Sequence, residues 1–286
     1  MVDHALTIDL EDWHQLLHRR VTGELIPPSP AVVTATHRLL DLLDETGTRA
    51  TFFVQGTVGD AYPELVREVA ARGHEVGSHT FMHKLVFEMD PPSFRADLDR
   101  SVKQLQDLTG QPVLGFRAPE FSVKGLDHWS FEVLAESGFR YDSSVFPTSG
   151  ARYGIPQASR LPFTISTPSG TIREYPLATW KISRFRVPVA GGTYYRLLPG
   201  ALLRRALAEL DADEYTLVLY FHPYEFYQGW LYLDGLAWRH RRRAINVKYC
   251  LLHNFRTGRI AQQVRVLLTR FRFVPLAEIY RRDPLP

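Results

Sequence analysis

The 286-residue sequence predicts a barrel-like α/β domain built on parallel strands. Three observations predict it. Short apolar runs alternate with helical patterns of roughly ten to eighteen residues, the rhythm of βα units. Several helical patterns stop at a glycine, among them Gly47, Gly73 and Gly110, a residue that adopts the left-handed conformation ending a helix. The length suits one large α/β unit, since such barrels commonly run to about 200–250 residues.

Taken in order, Ala5–Ile8 reads as a buried strand opening into the acidic cluster Asp9, Glu11 and Asp12. Residues 34–46 have helical spacing through Leu39, Leu40, Leu42 and Leu43, and 50–54 form a β-branched and aromatic strand. Residues 63–72 place Leu65, Val66 and Val69 on one helical face; 92–109 do the same with Leu98, Val102, Leu105 and Leu108. A strand at 113–116, a helix at 127–137 and a strand at 139–142 continue the alternation. Residues 145–198, rich in Pro, Gly, Ser and Thr, break it and read as an inserted β-hairpin region. A helix at 199–210, an apolar strand at 215–221, a helix at 260–269 and a strand at 271–274 complete a single domain over 1–286.

Composition excludes several classes. Apolar residues at 45% and charged residues at 23% are ordinary for a globular chain and exclude wholesale disorder. A lone cysteine, Cys250, excludes an intrachain disulfide and a cysteine-rich zinc site. The amino terminus lacks the basic and apolar regions of a secretory signal, so a cytoplasmic location is expected. Charge is divided unevenly: from Trp230 onward twelve Lys/Arg face three acids, a net +9, leaving −6 on the remainder. This basic carboxyl-terminal extension, about 230–286, is expected to make peripheral contact with an anionic membrane; no nucleic-acid partner is expected.

In parallel α/β folds the chemistry gathers at the carboxyl ends of strands, where five polar clusters stand. Asp9, Glu11 and Asp12 repel one another unless a cation or proton intervenes. His79 and His83, at i and i+4, fit one face of a helix and one metal. Arg117 can clamp an ionised carboxylate by a bidentate contact. Asp142 precedes Ser143 and Ser144, and His222 closes the most hydrophobic strand before Pro223, Tyr224 and Glu225.

These clusters, in this order, with Arg49–Val54, Tyr62–Val66 and Arg72–His79 between them, resemble the polysaccharide deacetylase family (NodB-homology domain, carbohydrate esterase family 4). Segments 141–147 and 190–199 resemble its exopolysaccharide and surface-glycan branch. The resemblance implies a distorted (β/α)7 barrel with a helical carboxyl-terminal extension. It also implies a metal-dependent hydrolase that removes N-acetyl groups from a polysaccharide or lipid-linked glycan precursor. Asp9 would be the general base, Arg117 its orienting partner and His222 the general acid. His79 and His83 would hold a divalent metal, zinc first, with cobalt, nickel or iron also suited to the set. The family's second adjacent aspartate is replaced here by Leu10, so the third ligand is expected to be Asp12, with Glu11 as the alternative. Pro119, Phe121, Asp142, Trp180 and Tyr224 are expected to contact substrate, aromatic rings suiting sugar faces. Two other readings stay open: hydrolysis of a cyclic amide or imide on the same barrel, and a catalytically silent glycan-binding protein.

Overall fold

The computed structural model describes residues 2–150, 153–232 and 242–283, without the side chains of 242–246. Of the basic residues after Trp230, Arg239 and Arg241 and the side chains of Arg242 and Arg243 therefore lie outside the described residues. The strands are β1 (His4–Leu10), β2 (Thr51–Val54), β3 (Glu75–Ser78), β4 (Gly115–Phe116), β5 (Tyr141–Asp142), β6 (Phe163–Thr167), β7 (Gly170–Glu174), β8 (Thr179–Ile182), β9 (Phe185–Pro188), β10 (Val218–Phe221) and β11 (Phe273–Val274). The helices are α1 (Trp13–Thr22), α2 (Ala31–Glu45), α3 (Gly56–Ala61), α4 (Pro63–Ala71), α5 (Pro91–Thr109), α6 (Ser130–Glu136), α7 (Gly192–Leu197), α8 (Gly200–Ala212), α9 (Arg242–Asn254), α10 (Ile260–Arg270) and α11 (Leu276–Arg282).

The sheet runs β10-β1-β2-β3-β4-β5-β7, all parallel, with β6 antiparallel on β7 and β11 added to β1 at His4 and Ala5. Every residue of β1 and β2 is buried, as expected of parallel strands covered on both faces. The predicted apolar stripes supply the cover: Leu39, Leu40, Leu42 and Leu43 of α2, Leu65, Val66 and Val69 of α4, and Phe94, Leu98 and Leu105 of α5. Each such side chain contributes roughly 1.5–3 kcal/mol by leaving water.

The continuous parallel row has seven strands, the expected number, with β11 a further parallel strand on β1, but among the described residues strand pairing does not close the ring. The seam between β7 and β10 is crossed by the segment after β7, which joins the chain beyond β5 to β10: Leu177 N–H donates to Val145 O (3.0 Å) and Ala178 N–H to Val218 O (3.1 Å). The region read as an insertion is thus part of the wall: β7 is a strand of the main sheet, while β8 and β9 form a separate hairpin. Helix α1 was not anticipated. Its signals are Asp12 as N-cap, Leu16, Leu17 and Val21 at helical spacing, and Gly23 as a left-handed stop.

Candidate active site

β10, β1, β2, β3 and β4 are neighbours, so the residues at their carboxyl ends converge on one cavity of about 210 Å³. Asp9, Glu11, His79, Phe121, His222 and Tyr224 are among its lining residues.

Asp9, at the end of β1, is buried, and its Oδ1 accepts from Arg117 Nη1 at 2.9 Å. Arg117 has no exposed surface and spends its other donors on neighbouring groups: Nη1 also on Thr7 Oγ1 (2.6 Å), Nε on Ser143 O (2.8 Å) and Nη2 on Ser143 Oγ (2.7 Å). The contact with Asp9 is therefore single rather than bidentate. Ser143, to which the sequence assigns no role, fixes the guanidinium plane.

His79 and His83 do not share a helix. β3 ends at Ser78, and the chain turns through Thr80 (φ 62°) and His83 (φ 54°), both left-handed. The amides that a helix would use are taken otherwise: Phe81 and Met82 N–H donate to the Asp97 carboxylate, and His83 N–H to Thr80 Oγ1. The turn brings the two imidazole centroids to 4.9 Å.

Glu11, not Asp12, joins them. Its Oε2 lies 2.5 Å from His83 Nε2 and 3.8 Å from His79 Nε2, and one donor atom from each residue falls within 4.8 Å of the others. Asp12 is turned away because it caps α1: Oδ2 accepts from Gln15 N–H (2.9 Å) and Ser29 N–H (3.1 Å), and Oδ1 from Ser29 Oγ (2.8 Å). Held by these three bonds, Asp12 stands apart from the two histidines, whereas the expectation placed it beside them.

The trio fits a divalent cation on its own chemistry. His79 Nδ1 lies 2.8 Å from the Arg117 carbonyl, which fixes the proton on Nδ1 and aims the Nε2 lone pair at Glu11. Buried His83 Nε2 makes no hydrogen bond among the described residues despite its closeness to Glu11, the arrangement of two donors aimed at a common point. Burial lowers the His83 pKa against the pull of Glu11, favouring the neutral ligand form. Burial alone would raise the Glu11 pKa, but His83, His79 and His222 outweigh it and hold the carboxyl well below its usual range.

His222, just after β10, points Nε2 at Glu11 Oε1 (3.4 Å) and Asp9 Oδ2 (3.9 Å). Tyr224 stacks on it at 4.6 Å and 14°. Buried Glu225 accepts His222 N–H (3.1 Å), approaches Nδ1 at 3.7 Å and is held in turn by Arg196 at 3.5 Å. Burial would lower the His222 pKa, but Glu225, Glu11 and Asp9 together raise it. The sequence assigns Glu225 no role; an acid three residues beyond the histidine is the available signal.

The expected substrate contacts divide. Phe121 and Tyr224 line the cavity; Pro119 is buried in the turn that carries Phe121. Asp142 is fully buried beneath the loop after β4, where Ser144 Oγ donates to it and Ala118 N–H donates to Ser144 Oγ. Burial and Asp142 raise the Glu174 pKa well above normal, so Glu174 holds the proton that lets these two carboxyls coexist. Trp180 lies outside the cavity lining, its Nε1 donating to Glu209 of α8 (2.8 Å). In the loop after β4, the Ala118 N–H donates to Ser144 Oγ and the Phe121 N–H to Ala118 O. Unforeseen were Tyr249, Leu252 and His253 of α9, which form a wall of the cavity.

Residues 27–141 match the family model described as polysaccharide deacetylase, and 143–281 one described as a domain of unknown function (DUF3473). Similar relatives include a peptidoglycan deacetylase-like protein, FGM2, of Gibberella zeae, 31% identical over 110 residues (38% of this chain, 32% of that protein). A peptidoglycan deacetylase of Helicobacter pylori is 32% identical over 118 residues (41% of this chain, 39% of that protein). The match thus spans only about a third to two-fifths of these relatives' lengths. The fold is shared with the crystal structure of a "putative polysaccharide deacetylase from Mycobacterium smegmatis", at TM-score 0.66 and 20% identity over 98% of this chain and 89% of that one. Matched model and similar relatives agree on one segment: residues 27–141 resemble the polysaccharide deacetylase family, and the fold as a whole is that of the Mycobacterium smegmatis structure.

Proposed function

We propose that the chain is a metal-dependent hydrolase that removes N-acetyl groups from a sugar of a polysaccharide or lipid-linked glycan precursor. The observation that carries this reading is the convergence of three features on one cavity: Asp9 bound to Arg117, the Glu11–His79–His83 trio, and His222 backed by Glu225.

An amide resists attack because its carbonyl is weakly electrophilic and its amine leaves poorly. A divalent cation held by Glu11, His79 and His83 supplies, when bound, the Lewis acidity that the carbonyl needs. Two imidazoles and a carboxylate favour zinc while leaving positions open, and cobalt, nickel and iron accept the same donors. The chain's own groups manage the protons. Arg117 holds Asp9 by a charge-assisted hydrogen bond, and Asp9 takes a proton from the attacking water as its oxygen bonds to the acetyl carbon. His222, whose Nε2 faces Asp9 Oδ2 rather than the Oδ1 held by Arg117, gives a proton to nitrogen as the C–N bond breaks, leaving acetate and a free amine. Tyr224 fixes the imidazole plane, and Glu225 favours its charged form. Tyr224 and Phe121 offer ring surfaces to a pyranose.

A screen for acetate release from N-acetylhexosamine oligomers and lipid-linked sugars tests the reading. Asp9→Asn and His222→Ala are each expected to lose on the order of 10²–10⁴-fold in kcat. Silence on every sugar with the metal site loaded would remove the deacetylase assignment.

A further inference from the structure

Helix α9 is apolar on two faces. One, through Tyr249 and Cys250, packs beside Trp13, Leu17 and Val21 of α1 and Tyr224. The other, Val247, Leu251 and Leu252, continued by Phe255, is between 44% and 57% exposed. A surface helix normally turns charge to water on its outer side, so a second apolar face calls for a second apolar phase. Leu252 and the equally exposed Leu197 also line the catalytic cavity, so this face is continuous with the cavity's rim.

The charge around it has one sign. From Gly235 to Ala277 the sequence has ten Lys/Arg and no Asp or Glu. Farther along, Arg265 and Arg272 are paired with Glu45 (2.5 Å) and Asp3 (3.0 Å). Among the described residues, Lys248, Arg256 and Arg259, which lie on or next to the exposed stripe, make no ion pair; the Arg256 guanidinium rests 4.9 Å from the Phe255 ring centroid. Aliphatic side chains interleaved with unpaired cations are the complement of an anionic lipid interface, apolar below and phosphate above. No helix among the described residues is long and apolar enough to cross a membrane, so the contact is peripheral.

We propose that this face of α9 docks on an anionic bilayer surface, with Val247, Leu251 and Phe255 entering the headgroup boundary and the catalytic cavity opening beside it. The docking stands apart from the reaction; only its consequence, that the glycan is presented on a lipid carrier, rests on the deacetylase reading.

Co-sedimentation with vesicles tests it, using phosphatidylcholine alone and an equal mixture with phosphatidylglycerol. The full chain is expected to sediment with the mixed vesicles, to be released by salt, and to remain in solution with the neutral ones. Leu251→Glu/Phe255→Glu and, separately, Lys248→Glu/Arg256→Glu should each weaken partition about 10-fold or more, with unfolding temperature and acetate release from a soluble oligosaccharide unchanged. Equal sedimentation with both vesicle types, or double variants that sediment like the parent, would overturn the proposal. So would a dimer abolished by the same substitutions, which would assign the face to a second copy. Acetate release absent from every protein, with sedimentation as expected, would strike the deacetylase reading and leave the docking surface standing.

Discussion

At the scale of single residues, the account turns on how buried charges are held. Glu225 is a positioning residue: it touches neither Asp9 nor the trio but sets the orientation and charge of His222. Glu225→Gln keeps the shape while removing that bias. It is expected to lower kcat on the order of 10-fold with little change in KM, checked by steady-state acetate release. Stability carries its own residue-scale signature at His74. The ring accepts Ala50 N–H at Nδ1 (3.2 Å), and burial lowers its pKa from 6.5 to about 4. Between those values the unfolded chain binds a proton that the folded chain refuses, so this contribution is complete above pH 6.5 and is lost as pH falls toward about 4. Thermal unfolding across that window should show the decline, and His74→Asn, which keeps an acceptor but does not titrate, should flatten it. The placement of Asp9, His79, Arg117 and His222 at or just after strand ends was legible in the sequence from the strand pattern. What held them was not, because Ser143, Asp97 and Glu225 act through contacts between segments distant in sequence or by side-chain direction.

At the scale of elements, the choice between Glu11 and Asp12 is decided by a helix start. Both acids follow β1, and spacing alone favours neither. Once α1 begins at Trp13, Asp12 is its cap and Glu11 is the residue left facing the histidines. The start of α1 and the position of Glu11 beside the histidines therefore have one cause. Asp12→Ala is expected to cost about 1 kcal/mol of stability and to keep its metal, whereas Glu11→Ala should fold and lose it. Metal analysis beside urea unfolding of the two variants separates the roles. The histidine pair shows the same limit: i, i+4 spacing fits a helix, but Asp97 of α5 captures the local amides and a left-handed turn results.

At the scale of the whole molecule, the strand–helix rhythm was enough to predict the parallel sheet, since each amphipathic stripe needs a sheet face to cover it. The closing of the wall was beyond that reasoning. The segment between β7 and β10 bridges the seam by loop hydrogen bonds, which no periodicity marks. The basic carboxyl-terminal region, separable from the catalytic body by charge, is not separable in space: β11 pairs with β1, and α9 supplies part of the cavity wall. The central claim is that this cavity cleaves an N-acetyl amide with a cation on Glu11, His79 and His83. Its most direct test is acetate release from a chitooligosaccharide by chelated protein as a divalent ion is titrated back. The account predicts silence without the ion and activity that saturates at a single ion per chain, with Glu11→Ala unrestored. Full activity in the chelated protein, or a loaded site with no acetate released, would contradict it.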